Sequence, residues 1–121
     1  MNKNRVNNWI LPAKKALEDL EIVKNGEIDF AFRSHISSFG AAIVMGSLPA
    51  AVAFFSQQNN AAVERNKLLK AMYYCITGKM RSEMEILQYV CENNSYELCE
   101  KFTDASIAVK LAINFFTKKE K

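Results

Sequence analysis

Between Arg33 and Glu64 the sequence contains no Asp, Glu, Lys or Arg, which leaves a long uncharged centre. It also has little that breaks secondary structure, with four glycines and two prolines in 121 residues. So few breakers suit long helices with short connections and argue against an all-β domain, which needs many turns. The single histidine and the scattered acids do not supply the converging groups that acid–base or metal-assisted hydrolysis requires. His35 stands beside Ser34, Ser37 and Ser38, but a lone helical histidine near serines reads as a structural or surface residue. Gly-rich phosphate loops are missing, because Gly40 and Gly46 sit in apolar sequence at the wrong spacing.

Cys75, Cys91 and Cys99 are odd in number and form no C-x-x-C pair, and the stretch from Met1 to Val6 is too polar for a secretory signal. A reducing cytoplasm is therefore expected. Together with His35 they match the ligand count of a Cys3His zinc site. Such sites normally use closely spaced pairs, so buried thiols on helix faces are the expected role and no cofactor is expected.

What is present fits one globular domain. Half of the residues are hydrophobic and 24% are charged, too apolar a balance for disorder. The length suits a single core, so residues 1–121 are expected to form one all-α domain of about six helices, with Lys118–Lys121 as a flexible tail.

The uncharged centre is almost wholly apolar from Phe39 to Phe55. A membrane span is disfavoured, because the run is slightly short, Gly46, Ser47 and Pro49 interrupt it, and Ser56 to Asn60 is polar but uncharged. Two core helices meeting at a break explain it better. Pro49 has no N–H to donate and disfavours a helical Leu48, and Ser47 can cap the second helix. Ser38, Ala42 and Gly46 make a small-residue stripe at four-residue steps, a packing surface. Ala-rich pieces such as Pro49 to Ala53 bury little area at about 25 cal/mol per Å², so a neighbouring subunit is expected to complete part of this surface.

In the first helix Val6, Trp9, Ile10, Ala13, Ala16, Leu17 and Leu20 share a face. Pro12 either kinks this helix or starts its regular part. Asn25 and Gly26 are expected to end it and Asp29 to cap the next. A further helix is predicted from about Ala61 to Thr77, with Leu68, Leu69, Met72 and Ile76 inward and Gly78 closing it. Ser82 and Glu85 form a capping box for a short helix carrying Met84, Leu87, Val90 and Cys91, and Asn94 with Glu97 repeats that signature. The last helix aligns Leu98, Phe102, Ala105, Val109, Ala112, Ile113 and Phe116.

The formal charge of +3 is local. Residues 61–81 hold five basic side chains (Arg65, Lys67, Lys70, Lys79 and Arg81) against Glu64 alone, whereas the flanking segments are close to balanced. At about 100° per residue Lys67, Lys70 and Tyr74 fall on one outward stripe. That stripe can follow a phosphate backbone, with Tyr74 stacking on a base, or it can be an ordinary solvated lysine face. Arg65 lies on the apolar side, where it pairs with an internal carboxylate or reaches a partner protein.

The order of features has a family likeness. An amphipathic first helix is followed by Lys24-Asn25-Gly26-Glu27-Ile28, by the run from Arg33-Ser34-His35-Ile36-Ser37-Ser38 through Phe39-Gly40-Ala41-Ala42-Ile43-Val44-Met45-Gly46-Ser47-Leu48-Pro49 to Phe54-Phe55, and by Arg65-Asn66-Lys67-Leu68-Leu69-Lys70-Ala71-Met72-Tyr73-Tyr74. This resembles the small subunit of the type III-B CRISPR effector, the Cmr complex. The likeness extends from about Val6 to Phe116, by pattern alone in the C-terminal third; Phe39-Gly40-Ala41-Ala42 favours the Cmr type over the related Csm small subunit. It implies a non-catalytic helical bundle that stacks with copies of itself beside the backbone and large subunits, next to guide RNA and target RNA. On that basis Arg33, Arg65, Lys67, Lys70 and Tyr74 are the expected RNA-contacting residues.

Overall fold

The computed structural model describes residues 1–119, the last two by backbone alone. Among the described residues six α-helices form a bundle: α1 Lys3–Asp19, α2 Phe30–Met45, α3 Leu48–Phe55, α4 Val63–Thr77, α5 Glu83–Glu92 and α6 Tyr96–Ile113. The long α6 lies against α1, α2 and α4 and so forms the centre of the packing. Phe39 of α2, Phe55 of α3 and Phe102 of α6 meet in the core, all fully buried. Phe39 packs edge-on against Phe55, with ring centroids 5.0 Å apart, and lies 6.2 Å from Phe102. No helix of the described residues is long and apolar enough to cross a membrane.

Local chemistry sets most boundaries. Asn2 caps α1 by accepting from the Arg5 N–H at 3.0 Å, and the helix runs through Pro12 rather than starting there. Asp29 Oδ1 accepts from the Ala31 N–H at 2.9 Å to open α2, and Ser47 accepts from the Ala50 N–H at 3.2 Å to open α3. The capping box between Ser82 and Glu85 starts α5, and Gly78, at φ 75°, ends α4 in the left-handed region that glycine adopts without strain.

Three details differ from the sequence-based expectation. Asn25 and Gly26 do not end α1. They take positive φ values of 55° and 75° and form the two-residue turn of a hairpin joining β1 (Val23–Lys24) to β2 (Glu27–Asp29). Two positive φ angles are what a tight hairpin needs, and Asn-Gly supplies them. The helix closes earlier, where Glu21 at φ 57° lets the Ile22 N–H reach the Leu17 carbonyl at 3.0 Å. Secondly, α6 is capped by Ser95, which accepts from the Leu98 N–H at 3.1 Å, and not by Asn94. Thirdly, α5 buries Ile86 and Val90, leaving Met84 and Cys91 exposed, because a helix starting at Glu83 turns those two positions outward. Cys75 is buried, as expected of a core thiol, and burial pushes its pKa up to about 12.

At its C-terminal end the described chain adds β3 (Thr117–Lys119), parallel to β2, giving a small three-stranded sheet in the order β1-β2-β3. Lys118 and Lys119, expected in a tail, therefore contribute backbone to a strand; residues 120 and 121 of that tail lie outside the described residues. A second long-range tie joins α1 to α6, where Arg5 Nη1 bonds Asp104 Oδ2 at 3.1 Å, with the Asp104 side chain 2% exposed.

The uncharged centre is only partly interior. In α3, Leu48, Ala51, Val52 and Phe55 are buried, but α2 buries just Phe32, Ile36 and Phe39. Ser38 and Gly46 of the small-residue stripe are exposed, and Val44 and Met45 are 85% and 89% exposed. The last turn of α2 thus keeps Ala42 and Ile43 against the core and turns Val44 and Met45 to solvent.

Candidate nucleic-acid interface

The five residues expected to contact RNA occupy different surroundings. Lys70, half-buried on α4, places Nζ 3.3 Å from Glu83 Oε2, within ion-pair range though not aligned as a hydrogen bond. Burial pushes the Glu83 carboxyl up, but hydrogen bonds from Gln58 and its own backbone N–H, with the adjacent Lys70 ammonium, outweigh that and hold it below the usual carboxylate range. Lys67, one turn earlier, lines a cavity of about 420 Å³ that also takes in Glu21, Glu27, Asp29 and Glu64. Tyr74 packs against the core with the Lys15 ammonium 5.6 Å from its ring centroid. Lys15 is itself bound to Asp19 Oδ2 at 2.9 Å, which raises its pKa. The stripe on α4 is therefore present, but Glu83 of α5 and the carboxylates of the hairpin and of the turn before it offset part of its charge.

Arg65 is partly buried and has no ion pair with an internal carboxylate among the described residues. Its guanidinium lies 4.5 Å from the Phe54 ring centroid, and its Nη2 donates to Gln57 Oε1 at 3.1 Å. Cation–π attraction of this kind contributes about 0.5–1 kcal/mol at a partly exposed site. Beside it Asn66 Nδ2 donates to the Phe55 carbonyl at 2.6 Å and the Gln57 carbonyl at 3.2 Å, pinning the chain after α3 to α4. His35 of α2 places Nε2 3.7 Å from Oε1 of Glu64 on α4.

Arg33 is placed differently. Its Nη1 donates to Asn114 Oδ1 at 3.2 Å, so the start of α2 meets the end of α6. Sequence reasoning missed what gathers there. Phe30 is 60% exposed and Phe115 58% exposed, and Lys110, one turn before Asn114, is exposed with no ion pair among the described residues. The adjacent Phe115-Phe116 pair was the available signal; Phe116 turns back to the core, where Lys14 lies 5.9 Å from its ring centroid, while Phe115 stays in water. Further along the same seam an open depression of about 340 Å³ runs between Ile36, Gly40 and Val44 of α2 and Thr103, Ile107 and Lys110 of α6.

No three His, Cys, Asp or Glu side chains come together as a metal-binding group among the described residues. Comparison with protein-family models, with curated proteins and with solved structures finds no match.

Proposed function

We propose that this chain is the non-catalytic small subunit of a type III-B CRISPR (Cmr) ribonucleoprotein, stacking with copies of itself beside the backbone and large subunits along guide and target RNA. The observation that carries this reading is the exposed end of α2. Val44 and Met45, 85% and 89% exposed in the segment where the family likeness is most specific, leave apolar surface that an assembly would cover. The all-α bundle fits the architecture the likeness implies. The experiment is reconstitution. Co-expressed with the other effector subunits and a guide RNA, the chain co-purifies with the complex, and Val44→Glu with Met45→Glu displaces it. A complex that assembles fully without taking up the chain overturns the reading.

One set of observations favours a second reading, a helical protein-interaction module without RNA contact. The Lys70–Glu83 pair and the acids around Lys67 reduce the attraction of the α4 stripe for phosphate. RNA crosslinking within the assembled complex separates the two, since the module yields no crosslinked peptide.

A further inference from the structure

We infer that RNA contact is made not by the α4 stripe but by a patch at the junction of α2 and α6, where Phe30 and Phe115 stack on unpaired bases and Arg33 and Lys110 meet the phosphates. The inference rests on the reading above for its RNA partner but names a different surface.

The geometry turns on one hydrogen bond. Phe30 and Arg33 are three residues apart on the first turns of α2 and so lie on neighbouring positions of one face. Lys110 and Asn114 are four apart at the end of α6, with Phe115 directly after. The Arg33–Asn114 bond at 3.2 Å joins these two groups into one patch. Two exposed phenylalanines cost free energy in water and contribute nothing to the core. Planar rings beside cations are what unstacked bases on a sugar–phosphate chain need.

Charge decides in favour of RNA over an apolar protein partner. Helix α2 has no carboxylate, and α6 has none after Asp104, which Arg5 already neutralises. Asp29, at the start of α2, directs an oxygen to the Ala31 N–H as its cap. Arg33 uses one of its donors on Asn114 and retains the others, and Lys110 keeps all three. On the α4 stripe Lys70 faces Glu83, and Lys67 shares its cavity with four acids and Lys24; at the patch neither Arg33 nor Lys110 has an ion pair among the described residues, and Glu27 and Asp29 of the hairpin stand at its edge.

The test uses the full chain and a fluorescein-labelled fifteen-nucleotide oligouridylate, followed by anisotropy over a range of KCl concentrations. Phe30→Ala and Phe115→Ala should each weaken binding by at least about five-fold, with the thermal melt unchanged since both rings are exposed. Arg33→Ala and Lys110→Ala should each flatten the salt slope by about 0.7, while Lys67→Ala and Lys70→Ala leave it unaltered. Absence of binding, binding indifferent to both phenylalanines, or binding carried by Lys67 and Lys70 overturns the inference. So does a protein surface here, seen as Phe variants that bind oligouridylate normally but fail to enter the reconstituted complex. If the chain enters the complex and the Phe variants crosslink to RNA as the parent does, the patch falls while the proposed function stands. Failure of the chain to enter the complex removes that function and leaves the anisotropy result to judge the patch.

Discussion

Substitutions at two places on α2, Phe39 and the Val44–Met45 end, should separate core from interface. Phe39 is fully buried between Phe55 and Phe102, whereas Met45 is 89% exposed. Truncating a buried phenylalanine to alanine costs about 3–5 kcal/mol, the transfer term plus the cavity left behind. With an unfolding entropy of about 2 cal/mol/K per residue, a chain of 121 residues should lose about 12–20 °C in Tm on Phe39→Ala. Met45→Ser and Val44→Ser remove apolar surface that is already in water, so each should change stability by less than about 0.5 kcal/mol, or about 2 °C. Thermal melts followed by far-UV circular dichroism, with urea titrations to give the free energies, measure both. If Met45→Ser destabilised the isolated chain by more than about 1 kcal/mol, the end of α2 would be packed in solution and the case for an interface there would fail. A Phe39→Ala cost below about 1 kcal/mol would refute the three-phenylalanine core.

Three further outcomes rest on single features. Gly40 sits inside α2 with nothing within 4 Å of the position a Cβ would take, so Gly40→Ala should stabilise the chain by about 0.5–1 kcal/mol; destabilisation in urea titrations would mean the depression beside it is filled. Arg5→Met leaves the buried Asp104 without its cation. It should cost about 2 kcal/mol, less than the removal of one partner of a fully buried pair because the Arg5 side chain is 23% exposed, and adding Asp104→Asn should recover part of that loss. Glu83 carries a lowered pKa, so its charge stabilises the fold above the unfolded carboxylate pKa and this contribution disappears as pH falls through the folded value. Stability measured between about pH 5 and pH 3 should therefore fall less steeply in Glu83→Gln than in the parent, and parallel pH profiles would remove the Lys70–Glu83 pair from the stability account.

The helical architecture was legible because its signals are local. Asp29, Ser47 and Ser82 cap helices from within a few residues, and Leu68, Leu69, Met72, Phe102 and Val109 fall inward on a 3.6-residue period. Where two local meanings compete, only the surroundings decide. Asn25-Gly26 can end a helix or turn a hairpin, and the hairpin prevails because Glu21 has already closed α1 and β3 arrives to extend the sheet. That last strand pairs residues about ninety positions apart, which no periodicity announces. The α5 register slipped for a related reason, since ten residues give too few turns for the apolar pattern to fix which face is inside.

The candidate site was less legible, and the cause is electrostatic. A run of five basic residues against one acid looks exposed when charge is counted along the chain, but a charge acts over roughly 8–10 Å in all directions at moderate salt. Folding brings Glu83 to Lys70 and the hairpin acids to Lys67, so much of that local excess is offset in space. Arg33 and Lys110 each stand alone in sequence and gather no notice there. Folding sets them together beside two rings left in water, and neither cation has an ion pair among the described residues. A segment with no charged residue from 34 to 63 has a second effect beyond supplying a core: it leaves α2 without acids, so Arg33 near its start faces no competitor on that helix. Acid placed there should therefore matter more than acid placed on α4. Ser37→Glu, exposed on the same seam, should weaken oligouridylate binding more than Val63→Glu, exposed on α4 and equal to it in charge change, and the reverse order would return the RNA contact to the α4 side.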